Sequence, residues 1–358
     1  MKMLALMKYG DKAASTRQRL LQYVPYFSRS GIEVSYSSLL SNDYLERTFQ
    51  GQSAPVLSIV TAYLSRAALL LRASQFDLIW VHYECFPYMP GFFERLAELS
   101  GKPIVYDFDD AIFHQYDSHP RAVVRRFLGL KLQPLLNAAS LCVCGNAYLA
   151  SYAERFCRRA EIIPTVVDTT VYFPKNPAST AARPLVVGWI GSPSTWRFVL
   201  PIVPLLSRLS QELNLKIRVI GAGPQDTVPP NFEFLGWSEE AEVEMIQGMD
   251  VGIMPLPDEP WARGKCGYKL IQYMACGIPV VASPVGVNAD IVDHGLNGFL
   301  ASQEDEWDLS LRRLLADSGL IREMGVRGRE KVMEKYSLQA YGPRLAALLC
   351  DVAGKPLS

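Results

Sequence analysis

Short apolar runs alternate with longer amphipathic segments along the whole chain, and this alternation sets the expected architecture. In the first half the runs are Met3–Lys8, Glu33–Ser37, Asp77–His82, Pro103–Asp107, Ser140–Cys144 and Glu161–Pro164, with helix-length segments between most of them. Apolar strands that alternate with helices predict a parallel sheet covered on both faces. After Val171 the pattern breaks at Pro174-Lys-Asn-Pro-Ala-Ser-Thr-Ala-Ala-Arg-Pro184, three prolines among small residues, which reads as a linker. The alternation then restarts with Leu185–Ile190, Lys216–Ile220, Phe232–Leu235, Asp250–Met254, Pro279–Ala282 and Gly298–Ala301. One intervening helix carries an apolar stripe at Ile202, Leu205, Leu206, Leu209 and Leu213, and its Pro201 and Pro204 fit only a first turn. The segment Trp307 to Cys350 is helical and amphipathic. Two doubly wound α/β domains are therefore expected, 1–173 and 185–335, joined by a linker at 174–184 and followed by a helix, 336–358, that returns to the first. Ligands of such sheets bind beyond the carboxyl ends of the strands, so two facing domains place a cleft between those ends.

Composition narrows this picture. The chain has 358 residues, 49% of them apolar, enough for two cores. Lys+Arg 36 against Asp+Glu 36 leaves no net charge, which excludes nucleic-acid binding through bulk electrostatics and requires any anion site to be local. Seven scattered cysteines, with Cys142-x-Cys144 lacking a companion pair, read as reduced core thiols of a cytoplasmic protein rather than a zinc site. Met1 to Met7 is too short an apolar run for a signal peptide and reads as a first strand. The longest apolar stretch, Pro55 to Leu71, contains Arg66, which argues against a bilayer span.

Candidate chemistry gathers in two places. From Met254 to Val285 a Pro- and Gly-rich loop leads into a short helix, expected from Gly267 to Gly277, and then into a buried strand. Lys265, Lys269 and Gln272 stand at i, i+4 and i+7, so they are expected to share one face while Leu270, Ile271 and Met274 point to a core. That face is either ordinary solvated surface or an anion site at a helix N-terminus. The strand before Gly191 empties into Gly191-Ser-Pro-Ser-Thr-Trp-Arg197, where Gly191, Ser192, Ser194, Thr195 and Arg197 suit a phosphate oxygen, or else form a turn that is Gly/Ser-rich for steric reasons. No Walker loop is present, and Gly221-Ala-Gly223 is too short for a dinucleotide fingerprint. The second place is Asp107-Phe-Asp-Asp110 at a strand end, three carboxylates that either crowd an active site or cap a helix. Asp-x-Asp suggests a divalent cation, yet no further ligand completes the set. The same edge receives His82-Tyr-Glu84 and the first loop with Gly10, Ser15, Thr16, Arg17 and Arg19.

These residues resemble a known family. Tyr268-Lys-Leu-Ile-Gln-Tyr-Met-Ala-Cys-Gly-Ile-Pro-Val-Val-Ala-Ser283 followed by Gly295-Leu-Asn-Gly298 looks like the donor-site signature of family 4 glycosyltransferases, the glycosyl transferases group 1. Gly188-Trp-Ile-Gly-Ser-Pro-Ser-Thr195, Pro164-Thr-Val-Val-Asp168 and Tyr336-Ser337 fit the family at matching places. The resemblance implies a GT-B fold, two Rossmann-like domains facing across a cleft, and a nucleotide-diphosphate sugar held by the second. It implies that Lys265 and Lys269 meet the diphosphate, with Arg197 where the family has a lysine and Ser192 where it usually has an arginine. Gln272 takes the place of the glutamate that holds the ribose, and Gly264 the place of the glutamate that contacts the sugar. Asp109 stands where the family often has a histidine near the transferred sugar, beside Asp110. The implied reaction is retaining transfer to a hydroxyl, without a metal and with no cofactor besides the donor; Asp109 stabilises an oxocarbenium-like transition state or takes the acceptor's proton.

Arg17, Arg19, His82 and Glu84 fall on the acceptor side. The expected acceptor is a glycan or a lipid-linked molecule. Arg121, Arg125, Arg126 and Lys131, interleaved with Val123, Val124, Phe127, Leu128 and Leu130, form either a plain surface helix or a basic amphipathic face for the inner side of the cell membrane. Other readings are a nucleotide-sugar hydrolase or epimerase of the same fold, and a binding protein without catalysis.

Overall fold

A computed structural model describes residues 1–49, 52, 53, 55–174, 183–223 and 231–356. The expected linker lies, from 175 to 182, outside the described residues. The chain forms two compact units. One comprises Met1–Thr165, Gly264–Cys266 and Tyr341–Ser358, the other Val166–Arg263 and Gly267–Ala340.

The first unit is built on β1 (Lys2–Tyr9), β2 (Glu33–Leu40), β3 (Leu78–His82), β4 (Ile104–Phe108), β5 (Leu141–Cys144) and β6 (Ala160–Ile162), in the order β2-β1-β3-β4-β5-β6 and parallel throughout. Every residue of β3, β4 and β5 is buried, as a sheet covered on both faces requires. The helix Val56–Leu71, the longest apolar stretch of the sequence, is fixed to this sheet by a polar group: Arg66 Nη2 donates to the carbonyls of Met7 and Ser37, both at 3.0 Å. Among the described residues no helix is long and apolar enough to cross a membrane.

The second unit carries β7 (Val186–Ile190), β8 (Lys216–Ile220), β9 (Phe232–Leu235), β10 (Val251–Met254), β11 (Val280–Ala282) and β12 (Gly298–Leu300) in the parallel order β12-β11-β10-β7-β8-β9. Strand order reverses between β7 and β10, so the loops leaving these two strands diverge. Such a switch point is where open parallel sheets bind ligands. In the first unit the corresponding reversal lies between β1 and β3.

The helix Tyr268–Ala275 covers the second switch point. Gly267 precedes it in the left-handed region, at φ 67°, so the helix cannot be extended back to Lys265. The expected common face of Lys265, Lys269 and Gln272 therefore does not form. Lys265 stands in the preceding loop and belongs to the first unit, while Gln272 is buried with Leu270, Ile271 and Met274. The Tyr273 hydroxyl accepts the backbone N–H of Ile190 at 2.9 Å and so ties the helix to the end of β7.

Candidate active site

In the second unit a circuit of contacts surrounds the carboxyl ends of β7, β8 and β9. A Cβ on Gly191 would lie 2.9 Å from Lys269 Cε, and one on Gly221 would lie 2.7 Å from the Gly191 carbonyl oxygen and 3.2 Å from Trp237 Cβ. Glycine is needed at both positions for backbone and side chains to approach this closely. The Trp237 indole N–H donates to Glu242 Oε2, Glu242 Oε1 accepts from Gln272 Nε2, and Gln272 returns to Lys269 along one helix. Tyr172 joins the circuit: its hydroxyl donates to Glu242 and accepts from Gln272 at 3.1 Å.

On this rim the Lys269 ammonium lies 5.3 Å from the centre of the Trp189 ring. Ser192 and Ser194 are exposed, with their hydroxyls 2.9 Å apart, and Thr195 Oγ1 donates to the Ser192 carbonyl at 3.0 Å. Arg197 is exposed, with its guanidinium 4.9 Å from the centre of the Phe198 ring. The structure thus gathers Gly191, Ser192, Ser194, Thr195, Lys269 and Gln272 around one strand edge, and it places the Gln272 amide nitrogen on Glu242 and Tyr172.

In the first unit each of the three clustered carboxylates has its own partners. Asp107 is fully buried, with Arg19 Nη2 at 2.5 Å and His82 Nδ1 at 2.8 Å. Burial alone would raise its carboxyl, but the Arg19 charge and the His82 hydrogen bond outweigh that and hold it below the ordinary range. Both oxygens of Asp107 are engaged, and among the described residues no group of three or more His, Cys, Asp or Glu side chains is placed to hold an ion. Asp109 is 6% exposed and accepts from two hydroxyls, Tyr83 at 2.6 Å and Thr165 at 3.0 Å. Tyr83 has φ 66°, a strained conformation for a bulky residue; burial and then the Asp109 charge push its hydroxyl well above the ordinary range, so it donates.

Asp110 receives Lys265 Nζ on both oxygens at 3.0 Å. Burial opposes the ammonium, but the Asp110 charge prevails and keeps Lys265 above its ordinary value. Asn146 fixes this loop by donating to the Gly264 and Lys265 carbonyls, each at 3.1 Å, while its own oxygen caps the helix Ala147–Ala153. A Cβ on Gly264 would lie 2.3 Å from that of Ala111, so the glutamate expected from the family cannot stand there without moving the backbone.

The acceptor-side expectations change with burial. Arg19, His82 and Glu84 are interior groups, none more than 1% exposed. Arg19 and His82 serve Asp107, and Glu84 takes Lys8 at 3.2 Å and the Tyr116 hydroxyl at 2.5 Å. Lys131, expected on the basic surface, is instead buried on Glu94 and Glu84. Arg17 lies in the helix Ala14–Arg19 rather than on a loop, and donates to the carbonyls of Asp11 and Lys12. Arg121, Arg125 and Arg126 remain exposed with Val123, Phe127 and Leu130. The sequence reading missed Tyr83, Thr165, Asn146, Tyr172, Trp237 and Glu242. Thr165 sits inside a quoted motif and Trp237 stands two residues past the end of β9, whereas nothing local marks Tyr172 or Glu242.

The two parallel six-stranded units define the GT-B class of fold. HepE of Anabaena, solved in complex with UDP, superposes with a TM-score of 0.73 at 17% identity over 98% of this chain and 100% of that one. Sucrose-phosphate synthase from Thermosynechococcus elongatus gives 0.71 at 16% identity over 99% and 100%. Residues 184–317 match the profile of the family Glycosyl transferases group 1. Among relatives by sequence, N-acetyl-alpha-D-glucosaminyl L-malate synthase of Bacillus anthracis is 25% identical over 42% of this chain and 41% of that protein. Alpha-maltose-1-phosphate synthase of Mycolicibacterium smegmatis is 26% identical over 50% of this chain and 53% of that protein. The chain thus spans about half the length, or less, of the curated relatives it matches.

Proposed function

We propose that the protein is a glycosyltransferase that moves a sugar from a nucleoside-diphosphate sugar to a hydroxyl of a glycan or lipid-linked acceptor, retaining configuration and using neither a metal nor a cofactor beyond the donor. The observation that carries this reading is the polar circuit at the second unit's switch point: Gly191, Gly221, Trp237, Glu242, Lys269 and Gln272 all fall within the family-matched stretch 184–317. The names of the relatives, and the neighbours solved with UDP and UDP-glucose, support a donor of this class.

In this reading Lys269, the exposed Ser192 and Ser194, Thr195 and Arg197 meet the diphosphate, and Gln272 the ribose. A lysine beside neutral hydroxyls suits a leaving diphosphate, whose charge grows as the glycosidic bond breaks. Asp109, held in one orientation by two neutral hydroxyl donors, is the group proposed to stabilise positive charge on the sugar or to accept the acceptor's proton. Lys265 gives its ammonium to both oxygens of Asp110. We place the enzyme in the cytoplasm, with the Arg121, Arg125, Arg126, Val123, Phe127 and Leu130 surface meeting an anionic membrane that carries a lipid-linked acceptor.

The test is a transfer assay over a panel of nucleotide sugars with Asp109→Asn beside the parent. The reading expects acceptor-dependent transfer that falls by a factor of at least ~100 in the variant while nucleotide affinity holds. Release of free sugar independent of any acceptor points to a hydrolase, and tight nucleotide binding without turnover to a binding protein.

A further inference from the structure

Glu242 is a buried carboxylate whose hydrogen-bond partners are neutral: the Tyr172 hydroxyl and Gln272 amide on one oxygen, the Trp237 indole on the other. Its helix, Glu242–Gln247, is not part of any motif singled out in the sequence. Burying an ionisable group in this way is costly unless its hydrogen bonds are complete, and here three donors complete them. The consequence lies in what those donors present outward. With its amide nitrogen committed to Glu242 and Tyr172, Gln272 has only its carbonyl oxygen to offer a ligand, and that atom accepts from hydroxyls. Trp237 is held by its N–H edge, yet it is 39% exposed at the end of β9, next to Gly221. A large aromatic surface kept accessible at a strand's carboxyl end, and fixed by one edge, is suited to stacking on a planar ring.

We propose that Glu242 is a positioning residue for the nucleoside half of the donor: through one oxygen it sets Gln272 to accept the ribose hydroxyls, and through the other it pins Trp237 as the platform on which the base stacks. This rests on the donor-site reading above and adds to it the two residues that recognise the nucleoside rather than the phosphates. Lys269 and Trp237 stand at opposite ends of the circuit, joined through Gly191 and Gly221 on one side and through Glu242 and Gln272 on the other. A ligand with a diphosphate at one end and a ring at the other matches that spread of chemistry. Stacking reads any base, so discrimination among bases does not come from Trp237.

Calorimetry with uridine diphosphate, adenosine diphosphate and inorganic pyrophosphate tests this on the full chain carrying Trp237→Ala, Trp237→Phe, Glu242→Gln or Lys269→Ala. The inference expects Trp237→Ala to weaken the nucleoside diphosphate about tenfold or more and to leave pyrophosphate unchanged. Trp237→Phe should recover most of the loss, and Glu242→Gln should fall between. Lys269→Ala should weaken nucleotide and pyrophosphate alike. If Trp237→Ala and Glu242→Gln bind the nucleotide like the parent while Lys269→Ala does not, the inference is overturned and the donor site stands. If the parent binds neither nucleotide, the donor-site reading falls and this inference with it. Should Glu242→Gln fail to fold, quenching of tryptophan fluorescence by nucleotide in the parent and its loss in Trp237→Phe decide the same point.

Discussion

The two units treat polar groups at their strand ends in opposite ways. In the first, the carboxylates of β4 and its loop are each matched inside the unit: Asp107 to Arg19 and His82, Asp109 to Tyr83 and Thr165, Asp110 to Lys265. In the second, the exposed rim carries a lysine over an aromatic ring, serine hydroxyls and a stackable indole, with its carboxylate turned inward. A site whose charges are satisfied internally is rigid before any ligand arrives. The first arrangement suits holding a reacting carboxylate in place, the second suits binding an anion.

Substitutions should separate the two along the same line. Arg19→Met leaves Asp107 buried without its cation and should destabilise the first unit by about 3–5 kcal/mol in denaturant unfolding. Lys269→Ala removes only a rim charge, so it should weaken nucleoside diphosphate by about 10- to 100-fold, ~1.5–3 kcal/mol, with little change in unfolding. Gly264→Ala pushes a methyl into Ala111 and should cost ~1–3 kcal/mol of stability. The smallest effect belongs to Ser194→Ala, which removes an exposed hydroxyl 2.9 Å from that of Ser192 and should stay within ~0.5 kcal/mol in unfolding.

Acid offers a further contrast. The folded Asp107 carboxyl sits below its ordinary value of 3.8, so its contribution is present above that pH and is lost as pH falls through the lower folded value. In Arg19→Met the carboxyl is no longer held down, and the acid transition should move to higher pH. An unchanged acid midpoint would show that Arg19 does not set that carboxyl.

The architecture was legible because parallel strands buried on both faces leave an apolar signature, and each of the twelve strands described overlaps an expected run. Within the site, Lys269 and the loop after Gly191 were readable from local spacing. Lys265 was misplaced because helical periodicity was carried across Gly267, whose positive φ ends it. Arg19, His82 and Glu84 looked like surface groups because sequence shows charge but not the buried partner opposite. Glu242 and Tyr172 reach Gln272 across 30 and 100 residues, separations at which no local pattern exists.

The central claim is that the switch point of the second unit holds a nucleoside diphosphate, and thermal unfolding in the presence of a panel of nucleoside diphosphates and nucleotide sugars tests it most directly. The account predicts that at least one raises the melting temperature progressively with concentration, by about 2.7 kcal/mol of stabilisation at a hundred times its dissociation constant, and that Lys269→Ala abolishes the shift at the same concentrations. No shift with any member of the panel, or an equal shift in Lys269→Ala, would contradict it.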